Sequence, residues 1–171
     1  MTGPSDTAGW LTHPEVFDAL PIAADEVPEL YKSLVSLDTS MTVAIKQRLG
    51  ADAKVMIHYA DSLALCSFEI DQLQTDTGFA RQISLQVNNE SVLAARSIVS
   101  PTSELQSLLS RNNTKPLGKL LFTDDRWRRL SEPVPLKTSD GLFGRYCRWQ
   151  DARTGDIIIV EEFFLPGLVR N

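Results

Sequence analysis

Arg81 and Arg96 stand where a half-buried β-hairpin should carry only apolar side chains. From Phe79 to Val87 the chain alternates with period two. One face carries Phe79, Arg81, Ile83, Leu85 and Val87, the other Ala80, Gln82, Ser84 and Gln86. A turn near Asn88-Asn89-Glu90 leads into a second strand, residues 91–99, where Arg96 shares a face with Val92, Ala94 and Ile98. A two-residue turn at Asn88-Asn89 sets Arg81 directly opposite Arg96, and moving it to Asn89-Glu90 keeps both on one side. A three-residue loop separates them, so the inference is conditional on register. Two permanent positive charges facing a core need anions. Either the protein supplies both, or a small dianionic ligand does.

The second informative pair is Glu161-Glu162, inside the run Ile157 to Leu165, which is apolar on both faces. Adjacent strand residues point to opposite faces, so one carboxylate enters a core. The plain reading pairs each glutamate with a lysine or arginine at the sheet margin. The functional reading makes one a buried carboxyl group acting in a pocket. The arginines face the same choice between structural ion pairs and ligand binding. Arg145, on a strand face with Phe143, Cys147 and Trp149, reads as structural. Gly118, following Pro116-Leu117 at a helix start, exposes N–H groups suited to a carboxylate.

Other chemistries fail on composition. Two histidines, His13 and His58, are too few for a multi-histidine metal site and give thin support to a Ser-His-Asp triad. No phosphate-binding glycine loop occurs, and neither a metal nor an organic cofactor is expected. A net charge of −5 argues against nucleic-acid binding. The longest apolar run, Ile157 to Val160, is too short to span a bilayer. No basic stretch followed by an apolar core opens the chain, so a cytoplasmic protein is expected. Cys66 and Cys147 read as buried free thiols in strands. The sequons at Asn89 and Asn112 then carry no meaning.

These residues require a frame to position them. A chain of 171 residues with 43% hydrophobic content suits one domain, residues 1–171, with residues 1–24 wrapping it loosely. Helices are predicted over 25–37 and 40–49, the latter stopped by Gly50. Others are predicted from Ser103 to about Arg111 and from Pro116 onward. Strands are predicted over 54–59, 63–72, 79–87, 91–99, 127–130, 142–149 and 156–165. Short turns between most strands give an α+β fold, a single antiparallel sheet of about six strands covered by helices.

The chain resembles the chorismate pyruvate-lyase family of ubiquinone biosynthesis. The resemblance is carried by Asp38-Thr39-Ser40-Met41-Thr42, the hairpin with Arg81 and Arg96, Lys115-Pro116-Leu117-Gly118-Lys119-Leu120-Leu121-Phe122, Gly141-Leu142-Phe143-Gly144-Arg145, and Glu162-Phe163-Phe164-Leu165-Pro166. These occur in family order; Ala95 before Arg96, where the family suggests glycine, is a departure. The resemblance implies conversion of chorismate to 4-hydroxybenzoate and pyruvate, without cofactor, in a site enclosed beneath helical flaps. It implies that Arg81 grips the ring carboxylate with main-chain N–H groups at Met41 and Leu117, and that Glu162 meets the ring hydroxyl. Arg96 is then assigned to the enolpyruvyl carboxylate, mainly on the hairpin geometry, making Arg81, Arg96 and Glu162 the expected catalytic set. A monomer is expected. The rival reading is a non-catalytic sensor or binding domain for a small aromatic acid. A sensor predicts an attached DNA-binding helical module, and a dead binder predicts loss of Glu162 or Arg81.

Overall fold

In the computed structural model, which describes residues 8–110 and 114–169, the fold is α+β and is organised around one antiparallel sheet. Its strands are β1 (Ala19–Pro21), β2 (Lys54–Ala64), β3 (Thr77–Val87), β4 (Glu90–Val99), β5 (Trp127–Arg129), β6 (Val134–Thr138), β7 (Phe143–Asp151) and β8 (Ile157–Phe164). The order is β1-β6-β7-β8-β4-β3-β2, with β5 added beside β7, so the sheet has 8 strands rather than about six. Two were hidden in sequence. β1 is three residues long, and β6 contains Pro135, a residue that argues against a strand. Residues 54–64 form one strand with a bulge between Ile57 and Tyr59. The predicted strand over 63–72 is mostly a helix, opened where the Cys66 N–H donates to Glu69 Oε1 at 3.0 Å.

The helices are α1 (Glu29–Val35), α2 (Met41–Leu49), α3 (Ser67–Leu73), α4 (Leu117–Thr123) and α5 (Pro166–Val169). α2 has the ends its sequence predicts. The Ser40 hydroxyl accepts from the Val43 N–H, and Gly50 at φ 72° closes the C-terminus. The segment after Ser103 is a 3-10 helix over Glu104–Leu109; Arg111 and Asn112 lie outside the described residues.

The β3–β4 hairpin decides which side chains meet. Asn88 and Asn89 have φ values of 52° and 65°, and Val87 pairs with Glu90, so the turn is the two-residue one. Ser91 pairs with Gln86, but Leu93 pairs with Leu85, leaving Val92 as an extra residue. This β-bulge shifts the remaining register by one, setting Arg96 opposite Gln82 and Arg81 opposite Ser97. The two arginines therefore occupy opposite faces of the sheet. One inserted residue overturns their expected convergence.

Each face is covered. Over the first lie α1, α2 and α4, whose Leu34, Met41, Ile45, Leu117 and Leu121 are buried with Ile83, Leu93, Phe164 and Trp149. Over the second lie α3 and the N-terminal segment. Residues 8–21 do not wrap loosely there: Trp10, Phe17 and Phe163 meet edge to face at 4.9–5.8 Å. Gln82 also donates to the Trp10 and Leu11 carbonyls at 2.8 and 3.1 Å. Such an aromatic contact adds roughly 0.5–1.5 kcal/mol beyond area burial. Residues 1–7 lie outside the described residues.

Candidate active site

The register places Ile83, Ala95, Glu162 and Arg145 in one row across β3, β4, β8 and β7, with Arg81 and Ser97 in the adjoining row. These rows floor a cavity lined by Arg81, Ser97 and Glu162, with Thr42 of α2 and Leu117 and Gly118 of α4 above. A Cβ on Gly118 would lie 3.8 Å from Ser40 Cβ and 4.0 Å from Glu162 Oε2, so both helix starts and the carboxylate converge there. The cavity is about 20 Å³, room for about one water molecule. Apolar side chains from Ile83, Leu85, Leu93 and Val160 complete its walls.

Arg81 is buried, and burial pulls its pKa below the usual arginine value. Among its partners is the Lys115 carbonyl, which accepts from Nη2 at 2.9 Å and ties the arginine to the approach to α4. Glu162 is the one carboxylate lining the cavity among the described residues. Its Oε1 accepts from Arg145 Nε at 3.1 Å. Met41 and Leu117, expected to offer main-chain N–H groups, are the first residues of α2 and α4.

Arg96 is not part of this cavity. It is buried on the opposite face, where Nε and Nη2 donate to Glu69 Oε2 and Oε1, both at 2.8 Å. Nη1 donates to Gln82 Oε1 at 2.7 Å, and the guanidinium lies 4.2 Å from the centre of the Phe17 ring. The protein itself supplies this anion, so Arg96 does not face the dianion inferred from the hairpin. Glu161 shares this side, paired across the sheet with Arg96. It is fully buried, and no donor group among the described residues reaches either carboxyl oxygen. Burial and the neighbouring Glu69 carboxylate raise its pKa well above the ordinary carboxylate value. A carboxyl group buried beside a second carboxylate therefore favours its protonated form.

Alternation thus separates Glu161 and Glu162 as expected, and Glu162 and Arg81 meet at one cavity. Sequence reasoning missed Glu69, because residues 63–72 read as a strand, and passed over Arg145. Arg145 reads as structural in sequence, and its place opposite Glu162 depends on the β7–β8 register, which the sequence does not give. Cys66 and Cys147 are free thiols, with Cys66 at the start of α3 rather than in a strand.

The sequence profile described as chorismate lyase matches residues 20–170. A search of curated proteins finds no match. Among solved structures, one similar chain is described as the ligand-binding domain of a GntR-family transcriptional regulator from Bordetella bronchiseptica. It is 12% identical, covers 68% of this chain and 86% of that one, and has a TM-score of 0.42. Among the described residues no helix is long and apolar enough to cross a membrane. With the profile spanning nearly the whole chain, this protein belongs to the chorismate lyase family.

Proposed function

We propose that this protein converts chorismate to 4-hydroxybenzoate and pyruvate, the step that commits chorismate to ubiquinone. The observation that carries the reading is the presence of Arg81 and Glu162, from separate strands, in the lining of one enclosed cavity beneath α2 and α4. Arg81 receives the ring carboxylate, with the Met41 and Leu117 N–H groups assigned to the same anion by family membership. Glu162 receives the hydroxyl end. A fixed guanidinium on one carboxylate orients a planar ring, and apolar walls suit its faces.

The reaction is an elimination. The carbon bearing the ring hydroxyl loses its hydrogen as a proton while the neighbouring carbon–oxygen bond breaks. Enolpyruvate departs with the bonding pair and takes a proton at its methylene carbon to become pyruvate. No electrons are gained or lost overall, and aromatisation of the ring supplies the driving force. The hydroxyl and the departing proton sit on the same ring carbon, so one carboxylate at that end can hold the first and accept the second. Holding the substrate in its reactive conformer supplies the rest.

The test is incubation with chorismate, measuring 4-hydroxybenzoate and pyruvate. Equal amounts of both are expected. Glu162→Ala should nearly abolish turnover, whereas Glu161→Gln, altered on the opposite face, should retain most of it. Bound chorismate left intact by the folded wild-type protein would make this a binder and end the lyase reading.

A further inference from the structure

Arg145 is fully buried in β7, yet only one of its hydrogen bonds goes to a carboxylate. While Nε donates to Glu162 Oε1, Nη1 donates to the carbonyls of Leu37 at 2.7 Å and Val35 at 3.3 Å. Nη2 donates to the Thr39 carbonyl at 3.5 Å. Those three carbonyls belong to the end of α1 and the connection to α2. The next residue, Ser40, caps α2, and Thr42 lines the cavity. A simple ion pair across β7 and β8 needs no carbonyl acceptors. A guanidinium spends its donors in a rigid planar fork, so fixing one edge on the connection fixes the direction of the Nε–H toward Glu162. Oε1 is thereby engaged, and Oε2 is left on the side of Gly118 and the α4 start.

We propose that Arg145 is a positioning residue that joins the Glu162 carboxylate to the connection leading into α2, so that carboxylate and cavity cover are held as one unit. The inference rests on the lyase reading for its effect on turnover, but its structural half does not. When the cover leaves, the Arg145 tether is lost and Glu162 loses its fixed orientation. When Glu162 is removed, Arg145 loses one anchor and the connection loosens. The second consequence is the sharper one, because among the described residues Glu162 makes no hydrogen bond to residues 35–39 itself.

The experiment uses Arg145→Met, Arg145→Lys and Glu162→Ala. Amide exchange over residues 36–42 is measured without ligand, beside kcat and KM with chorismate. Arg145→Met should speed exchange by about tenfold or more and lower kcat/KM by about 100-fold through misplaced Glu162. Lysine keeps a charge beside Glu162 but cannot span the carbonyls, so kcat should recover in part while exchange stays fast. Glu162→Ala should speed exchange over the same residues. Wild-type exchange in Glu162→Ala, or full recovery of both readouts by lysine, would overturn the proposal. Should Arg145→Met not fold, the other two variants decide it. Failure of the lyase reading is seen separately, as no product from the wild-type protein whatever the exchange shows.

Discussion

Three buried arginines on strands satisfy their charges in three ways. Arg96 has a bidentate carboxylate, Arg145 divides its donors between Glu162 and main-chain carbonyls, and Arg81 reaches the Lys115 carbonyl at the cavity. Removing Arg96 leaves Glu69 buried without its partner, which typically costs about 3–5 kcal/mol. Arg96→Ala should therefore lower stability to denaturant by that order, while its folded fraction keeps near-native affinity for 4-hydroxybenzoate. Arg81→Ala should instead weaken product binding by roughly 2–5 kcal/mol. Calorimetric titration separates them, and an equal loss of product affinity in both would return Arg96 to the site. Glu161 gives a pH prediction. Burial and then Glu69 raise its folded pKa well above the ordinary carboxylate value. The stability it contributes is thus full below that value and is lost as pH rises through the folded pKa. Glu161→Gln keeps a donor toward Glu69 at every pH. Its stability relative to wild type should rise with pH above about 4.5 and level off beyond the folded pKa, as urea denaturation across pH would record. A difference that does not change with pH would mean that Glu161 is not held protonated.

Elements were legible where their local chemistry was unambiguous. Ser40 and Gly50 bounded α2, Asn88-Asn89 announced its turn, and the apolar run of β8 marked a strand covered on both faces. The bulge at Val92 was not legible, because Val92 and Leu93 are both apolar and either one satisfies the core on its side. That single ambiguity put Arg96 on the wrong face; Arg81 and Glu162 were brought together by the family resemblance rather than by strand alternation, and both line the cavity. β6 and β1 were lost to Pro135 and to shortness, and α3 to apolar residues that fit either period. β7 carries a constraint visible only in three dimensions. A Cβ on Gly144 would lie 2.2 Å from the Glu162 carbonyl oxygen and 2.9 Å from Phe163 Cα. Only glycine permits β7 and β8 to approach so closely beside the Arg145–Glu162 pair. Gly144→Ala should cost about 1–3 kcal/mol or more in thermal denaturation through forced backbone shifts. Its folded fraction should also turn over poorly, since the two strands that must part each carry one side chain of the pair. Wild-type melting in that variant would contradict the packing at this crossing.

Across the whole molecule, the sheet divides two kinds of buried charge. The face under α3 and the N-terminal segment is locked, with Arg96 held by Glu69 and Gln82. The face under α2 and α4 keeps the cavity, whose volume of about 20 Å³ is far below the ~300–1,000 Å³ of ordinary ligand pockets. A substrate the size of chorismate therefore cannot occupy the cavity unless its cover moves, and the strands of the floor are too thoroughly paired to be what moves. The movable parts are α2 with its connection and α4, each short and each touching the site by its first turn. The same enclosure acts on departure. Pyruvate is small and strongly hydrated, but 4-hydroxybenzoate retains the ring, the carboxylate that Arg81 is proposed to hold and the hydroxyl that Glu162 is proposed to hold. Every proposed product contact survives the chemistry, so the cover has no reason to open sooner once the ring is aromatic. Release should then limit turnover. Rapid mixing with saturating chorismate should show a burst of 4-hydroxybenzoate approaching one per active site, followed by a slower steady rate. Arg81→Ala should shrink or abolish the burst by letting product leave sooner. A linear time course from the first turnover of the wild-type protein would place the slow step before or at carbon–oxygen cleavage, and the enclosed cavity would then govern binding order rather than rate.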